Sequence, residues 1–257
     1  MDEAYQTYLN RVARLTLPSA YSGQLQNIQE SPKFCGEQPV DFPGYTVMTP
    51  PWCEDEYNRD IYGNLKVVQS QLHEQLDSGS IATVPPESFH LTLADLIWDS
   101  AYRDALKENP NFERELRDCI AESFQQSQEL VSLGKPIELR LLGLTVRPRA
   151  IAVCFIPVDE AGYTRILQLR RSIYQNPGLI GLGVEQQYTF MGHITLGYFG
   201  TIPADLDRDR LQQILTSLND QLLEAEAQIL TVRRAELRKF ANMTGYYRDS
   251  DLPAIEF

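Results

Sequence analysis

Apolar positions recur along this chain with two different periods, and the switches between them outline its elements. Tyr5, Tyr8, Leu9, Val12 and Leu15 stand three and four residues apart, which predicts an amphipathic helix over residues 2–15, ending before Pro18. Residues 16–43 are rich in Pro, Ser, Gly and Gln and read as loop. Residues 1–43 are therefore expected to form a helix and an arm laid on a single domain spanning 44–257. In that domain Tyr45–Met48 reads as a strand, and Leu65, Val68, Leu72 and Leu76 share one face of a helix over 62–77. A strand over Ser88–Leu96 follows, then a mainly helical stretch over 100–130 broken at 109–111. PIELRLLGLTV and AIAVCFIPV read as two strands joined through Arg147, Pro148 and Arg149. A helix over Tyr163–Tyr174, a strand over 189–199, a helix over 205–226 and a strand-like run over 228–240 complete the series. The second half roughly repeats the first, and the class is α+β.

The candidate chemistry sits on two of those strands. Histidine occurs three times, at 73, 90 and 193, and two copies have near-identical surroundings: Phe89-His90-Leu91-Thr92-Leu93 and Gly192-His193-Ile194-Thr195-Leu196. One such match means little, because a lone strand histidine is usually a hydrogen-bonded core or surface residue; the repetition is what carries weight. Alternate side chains of a strand share a face, so His90 points with Thr92 and His193 with Thr195, while Leu91, Leu93, Ile194 and Leu196 turn inward. Strict alternation then places the small Ala94 and Gly197 on the histidine face, leaving an open cleft. Phe199 falls on the face of His193 and is a candidate to stack on a base. Arg147 and Arg149, flanking Pro148, are candidates to steer a phosphate, although arginines in turns are more often simply solvated. His73, beside Glu74 on a predicted helix, reads as solvated.

Two imidazoles and two hydroxyls converging from two half-domains suit displacement at phosphorus. A neutral histidine takes a proton from the attacking water while a protonated one donates to the leaving oxygen, and an unperturbed pKa near 6.5 allows one of each close to neutrality. Threonine hydroxyls then hydrogen-bond the non-bridging oxygens, a role that needs no metal. The paired motifs, with the strand pair LRLLGLTVRPRAIAVCFIPV between them, resemble those of the two-histidine phosphoesterase superfamily. That superfamily includes RNA 2′,3′-cyclic phosphodiesterases and 2′,5′-oligoadenylate phosphodiesterases, and the resemblance spans about residues 45–243. It implies a duplicated bilobal fold, with halves near 44–145 and 146–257, in which two mostly antiparallel sheets line a central cleft and helices lie outside. It also implies His90 and His193 as the acid–base pair, Thr92 and Thr195 as phosphate ligands, and no metal or other cofactor.

Composition narrows the substrate. The 257 residues carry 23 Lys and Arg against 35 Asp and Glu, a net charge of −12. Proteins that grip long or duplex nucleic acid by counterion release need many exposed cations, so a small nucleotide or oligonucleotide is the expected partner. The opening MDEAYQTYLNRVARL has no basic stretch leading into an apolar run, which argues against a secretory signal and for a cytoplasmic protein. The longest apolar run, 150–158, is interrupted by Pro157 and falls well short of the ~20 residues a bilayer requires, so no membrane span is expected. Cys35, Cys53, Cys119 and Cys154 show no CxxC pairing and read as reduced thiols. Glu54-Asp55-Glu56 lacks the alternating ligands and Gly of a calcium loop and reads as solvated. No GxSxG, GxxxxGK[ST] or HExxH occurs. The chain is thus expected to be a hydrolase, a metal-independent phosphodiesterase acting on a cyclic 2′,3′-type or 2′,5′-linked diester of a small nucleotide or RNA end, in RNA processing. The alternative is a non-catalytic module that holds a nucleotide or phosphorylated ligand in the same cleft, with the arm as a lid. The pattern assigns neither the acid nor the base, and is silent on oligomeric state.

Overall fold

The computed structural model describes residues 3–132 and 134–257. Two helices open the chain, α1 (Tyr5–Leu15) and α2 (Pro18–Leu25), followed by a small ribbon of β1 (Phe34–Cys35) and β2 (Gln38–Pro39). Strand β3 (Gly44–Met48), helix α3 (Arg59–Gln75), the short β4 (Ile81–Thr83) and β5 (Thr92–Trp98) come next. Helices α4 (Asp99–Glu108) and α5 (Phe112–Val131) lead into a long hairpin of β6 (Ile137–Arg147) and β7 (Ala150–Pro157). The remainder runs α6 (Glu160–Tyr174), α7 (Pro177–Gly181), β8 (Gly192–Phe199), α8 (Arg208–Glu224), β9 (Ile229–Val232), β10 (Arg234–Asn242), β11 (Gly245–Tyr247) and β12 (Ala254–Glu256).

Among the described residues all strand pairs are antiparallel, and apart from the β1–β2 ribbon they build two five-stranded sheets. The first has the order β11-β10-β3-β5 with β12 also on β10; the second has the order β4-β8-β7-β6-β9. Each sheet draws strands from both halves of the chain. The arrangement β10-β3-β5 in one sheet matches β6-β7-β8 in the other, and β5 and β8, the strands that carry the two threonines of the motifs, meet where the sheets come together. Helices α1, α2, α3 and α8 pack on the second sheet, and α4 and α6 pack on β5.

Helix α3 shows how the sequence drives this packing. Ile61, Tyr62, Leu65, Val68 and Leu72 recur at helical spacing and are buried, so the apolar stripe is fully used. On the long hairpin, a bulge between Leu141 and Gly143 admits the Asn219 side chain of α8, whose Oδ1 accepts from Leu144 N at 2.8 Å. A Cβ at position 143 would lie 2.5 Å from that oxygen and the backbone φ there is +136°, so both space and conformation call for glycine.

Three regions depart from the sequence reading. Residues 18–25, read as loop, are helical because Pro18 occupies the first turn, where its missing N–H costs nothing. Tyr8, Val12, Tyr21 and Leu25 are completely buried, so α1 and α2 are part of the main core. The strand-like run 228–240 is two strands in different sheets, β9 beside β6 and β10 beside β3. Glu54 is not simply solvated: its carboxylate takes both Nη1 (2.8 Å) and Nη2 (2.6 Å) of the fully buried Arg238, which also bonds Glu236. That pairing holds the Glu54 carboxyl below the usual carboxylate range.

Candidate active site

A cavity of about 460 Å³ opens between the two sheets, and His90, Thr92, His193 and Thr195 all line it. The two imidazoles are held in the same way. His90 Nδ1 lies 2.7 Å from the carbonyl of Ser88, and His193 Nδ1 lies 2.8 Å from that of Met191, in each case two residues upstream. A carbonyl only accepts, so Nδ1 carries the proton in both rings and Nε2 is left with its lone pair. Arg147 Nη1 stands 3.2 Å from Nε2 of His193, whereas the ring of His90 packs edge-on against Tyr246, centroids 4.2 Å apart. Both rings are neutral at pH 7 in the free protein. Burial lowers His90 to about 4, and burial together with the Arg147 charge lowers His193 to about 3.

The strands beyond the motifs do not alternate. On β5, Met48 lies opposite Thr92 but Val47 lies opposite Ala94, which makes Leu93 an extra residue; Leu96 is a second. On β8, Ala152 lies opposite Thr195 but Ile151 opposite Gly197, so Leu196 is extra. Each motif is therefore followed at its Leu by a bulge, and a one-residue slip sends every later side chain to the other face. The cleft receives Asp95 and Tyr198 where strict alternation would put Ala94 and Gly197, and the second slip, at Leu96, returns Trp98 to the face of Thr92. Ala94 is buried, and a Cβ on Gly197 would come within 2.9 Å of Ala82 O on β4. Phe199 is likewise turned into the core, 3% exposed, and Tyr198 takes the place expected of it. At Leu93 and Leu196 the carbonyl of the extra residue finds a buried polar side chain from the helix behind. Arg170 of α6 bonds Leu93 O, and Gln69 of α3 donates to Leu196 O at 2.7 Å and to Val84 O at 2.8 Å. A period of three in the cleft-facing residues of TLADLIW, Thr92, Asp95 and Trp98, was the signal in the sequence.

The walls of the cleft combine cations and aromatic rings. Arg147 and Arg149 both line it, and Lys33, which the sequence did not single out, joins them from the segment after α2. None of the three has a carboxylate partner among the described residues; their neighbours are Gln29 for Arg149, the His193 ring for Arg147, and Tyr198 and Phe42 for Lys33. Three cations against the single carboxylate of Asp95 give the described lining of this cleft a positive balance in a chain of net charge −12. Phe42, Trp98, Tyr198, Phe240, Met243 and Tyr246 form the apolar side, part of a cluster separate from the main core. The segment expected as a lid is tied down: Gln29 N donates to Pro148 O at 2.6 Å and Ser31 N to Phe199 O at 2.8 Å. His73 is exposed on α3 and takes no part in the cleft. Buried Cys154, opposite His193 on β7, has its thiol pushed up to about 12 by burial and is unreactive at neutral pH. No group of three or more His, Cys, Asp or Glu side chains among the described residues is placed to hold a metal ion, and no helix is long and apolar enough to cross a membrane.

No protein-family model matches the chain, and no curated protein matches it. Among solved structures it is similar to a conserved protein of unknown function from Agrobacterium tumefaciens, at 14% identity and a TM-score of 0.60, covering 93% of this chain and 97% of that one. It also matches a phosphoesterase at 12% identity and a TM-score of 0.41, over 84% of this chain and 95% of that one. E. coli LigT complexed with 3′-AMP matches at 14% identity and a TM-score of 0.42, over 84% and 96%. The fold is thus that of the Agrobacterium protein.

Proposed function

We propose that this protein is a phosphodiesterase that hydrolyses a small nucleotide diester, of the cyclic 2′,3′ or the 2′,5′-linked kind, by acid–base catalysis between His90 and His193. The observation that carries the reading is the matched pair of imidazoles: each bonds a carbonyl two residues upstream through Nδ1, both line one cavity, and that cavity gathers Lys33, Arg147 and Arg149 without carboxylate partners. A bound diester places its negative charge beside both rings and raises their pKa values from the low values of the free protein. One ring then exists as imidazolium and donates a proton to the leaving oxygen, while the other takes a proton from water as it attacks phosphorus. Arg147 beside His193 makes protonation of that ring the costlier of the two, so His193 is the base and His90 the acid. Thr92 and Thr195 donate to the non-bridging oxygens, and Trp98, Phe240 and Tyr246 offer the base an aromatic wall.

No step of this scheme is routed through a cofactor. It is tested by turnover of adenosine 2′,3′-cyclic phosphate, a 3′,5′-cyclic nucleotide and 2′,5′-diadenylate with chelator present. Chelator-resistant hydrolysis of a 2′,3′ or 2′,5′ diester is the expected result. Binding of these ligands with no turnover would replace the reading with that of a nucleotide-binding module.

A further inference from the structure

The cleft holds one group that anion binding leaves unexplained. Asp95 is the one acidic side chain among its described lining residues, and it also lines the adjoining smaller pocket with Thr92, Arg147 and His193. Among the described residues its carboxylate has no hydrogen-bond or ion-pair partner, although its backbone carbonyl accepts from Tyr174 OH at 2.8 Å. Lys33, Arg147 and Arg170 act on it through their charge alone, and burial raises its pKa. Such a group opposes phosphate binding wherever it stands in this cleft, unless the ligand brings a donor to it.

Its place on β5 says which donor. The bulge at Leu93 sets Asp95 on the face of Thr92, the next cleft-facing position after it, one strand step of roughly 7 Å away. The part of a nucleotide bonded directly to phosphate is the sugar, so a sugar rim comes alongside Asp95 when the phosphate sits between Thr92 and Thr195. We infer that Asp95 is a specificity-determining residue that accepts a hydrogen bond from a free ribose hydroxyl adjacent to the scissile phosphate. In a 2′,3′-cyclic phosphate both adjacent oxygens are esterified and neither can donate. A 2′,5′-linked diester keeps a free 3′-hydroxyl at that position, and the site is built for this open linkage.

The inference rests on the phosphodiesterase reading and is tested by kcat/KM for 2′,5′-diadenylate, for its analogue lacking the 3′-hydroxyl beside the scissile linkage, and for adenosine 2′,3′-cyclic phosphate. Wild type, Asp95→Asn and Asp95→Ala are compared, with melting curves to show that each is folded. Wild type should prefer the open diester to the cyclic one, and removal of the hydroxyl should cost about 10- to 100-fold, the range for a hydrogen bond to a charged group. Asp95→Ala should lose that sensitivity to the hydroxyl, and Asp95→Asn, which keeps only a neutral acceptor, should show less of it than wild type. Equal sensitivity in wild type and variants, or a wild-type preference for the cyclic substrate, would overturn the inference and leave the phosphodiesterase reading standing. Turnover of neither substrate by wild type would overturn both.

Discussion

Gln69 offers the sharpest test of how the cleft is shaped. It is buried on α3, 4% exposed, and its Nε2 donates to Val84 O and to the carbonyl of Leu196, the extra residue of the bulge in β8. Gln69→Leu keeps the volume and removes both bonds. Leu196 O still accepts from Val84 N at 3.2 Å, but Val84 O loses its donor inside the core. Two lost bonds at about 1 kcal/mol each, with about 1–3 kcal/mol for the orphaned carbonyl, predict a loss of about 3–5 kcal/mol. With a urea m-value of roughly 3 kcal/mol/M, the unfolding midpoint falls by about 1–2 M. Gln69→Glu is expected to cost more at pH 7, since a carboxylate facing two carbonyls has no donor, and to recover part of the loss on acidification. Urea unfolding followed by far-UV circular dichroism measures both. A Gln69→Leu protein within about 0.5 kcal/mol of wild type at unchanged m would refute the claim that this side chain holds the bulge.

The remaining predictions concern pH. An unfolded chain protonates each histidine near pH 6.5, whereas the folded protein resists until about 4 at His90 and about 3 at His193. Acid therefore favours the unfolded state between pH 6.5 and 3; the stability is present above 6.5 and is lost as pH falls, by roughly 2 kcal/mol per histidine at pH 5. Denaturation at pH 7 and pH 5 should show this slope in wild type and a shallower one in the His90→Asn/His193→Asn double variant; equal slopes would contradict it. In kinetics, kcat/KM reports the free enzyme and kcat the complex. Because a bound diester raises both histidine pKa values, the kcat profile should lie at higher pH than that of kcat/KM, and coincident profiles would contradict the neutral resting pair.

Much of this was legible in residues 45–243. The apolar stripes of α3, α5 and α8 and the strands of both motifs follow from spacing, because one face of each meets a core, but β5 begins only at Thr92 and His90 stands just before it rather than on the expected strand over 88–96. What spacing hides is the slip in register. Leu93 and Leu196 look like ordinary inward residues of an alternating strand, yet each is the extra residue of a bulge, so Asp95 and Tyr198 face the cleft and Phe199 does not. The break at Arg233 shows only as a change of phase, Leu230 and Val232 giving way to Ala235 and Leu237 across the Arg233-Arg234 pair, where the chain passes from one sheet to the other. Lys33 comes from an irregular segment whose place is set by bonds to Pro148 and Phe199, and nothing local to its sequence marks it.

The most direct test of the central claim is the turnover of His90→Ala and His193→Ala, each alone, on whichever diester wild type hydrolyses, with chelator present and melting curves in parallel. The account predicts that either substitution lowers kcat by about 10²- to 10⁴-fold while the fold persists and ligand binding is largely kept. A folded variant of either kind that retains turnover near wild type would contradict the two-histidine mechanism.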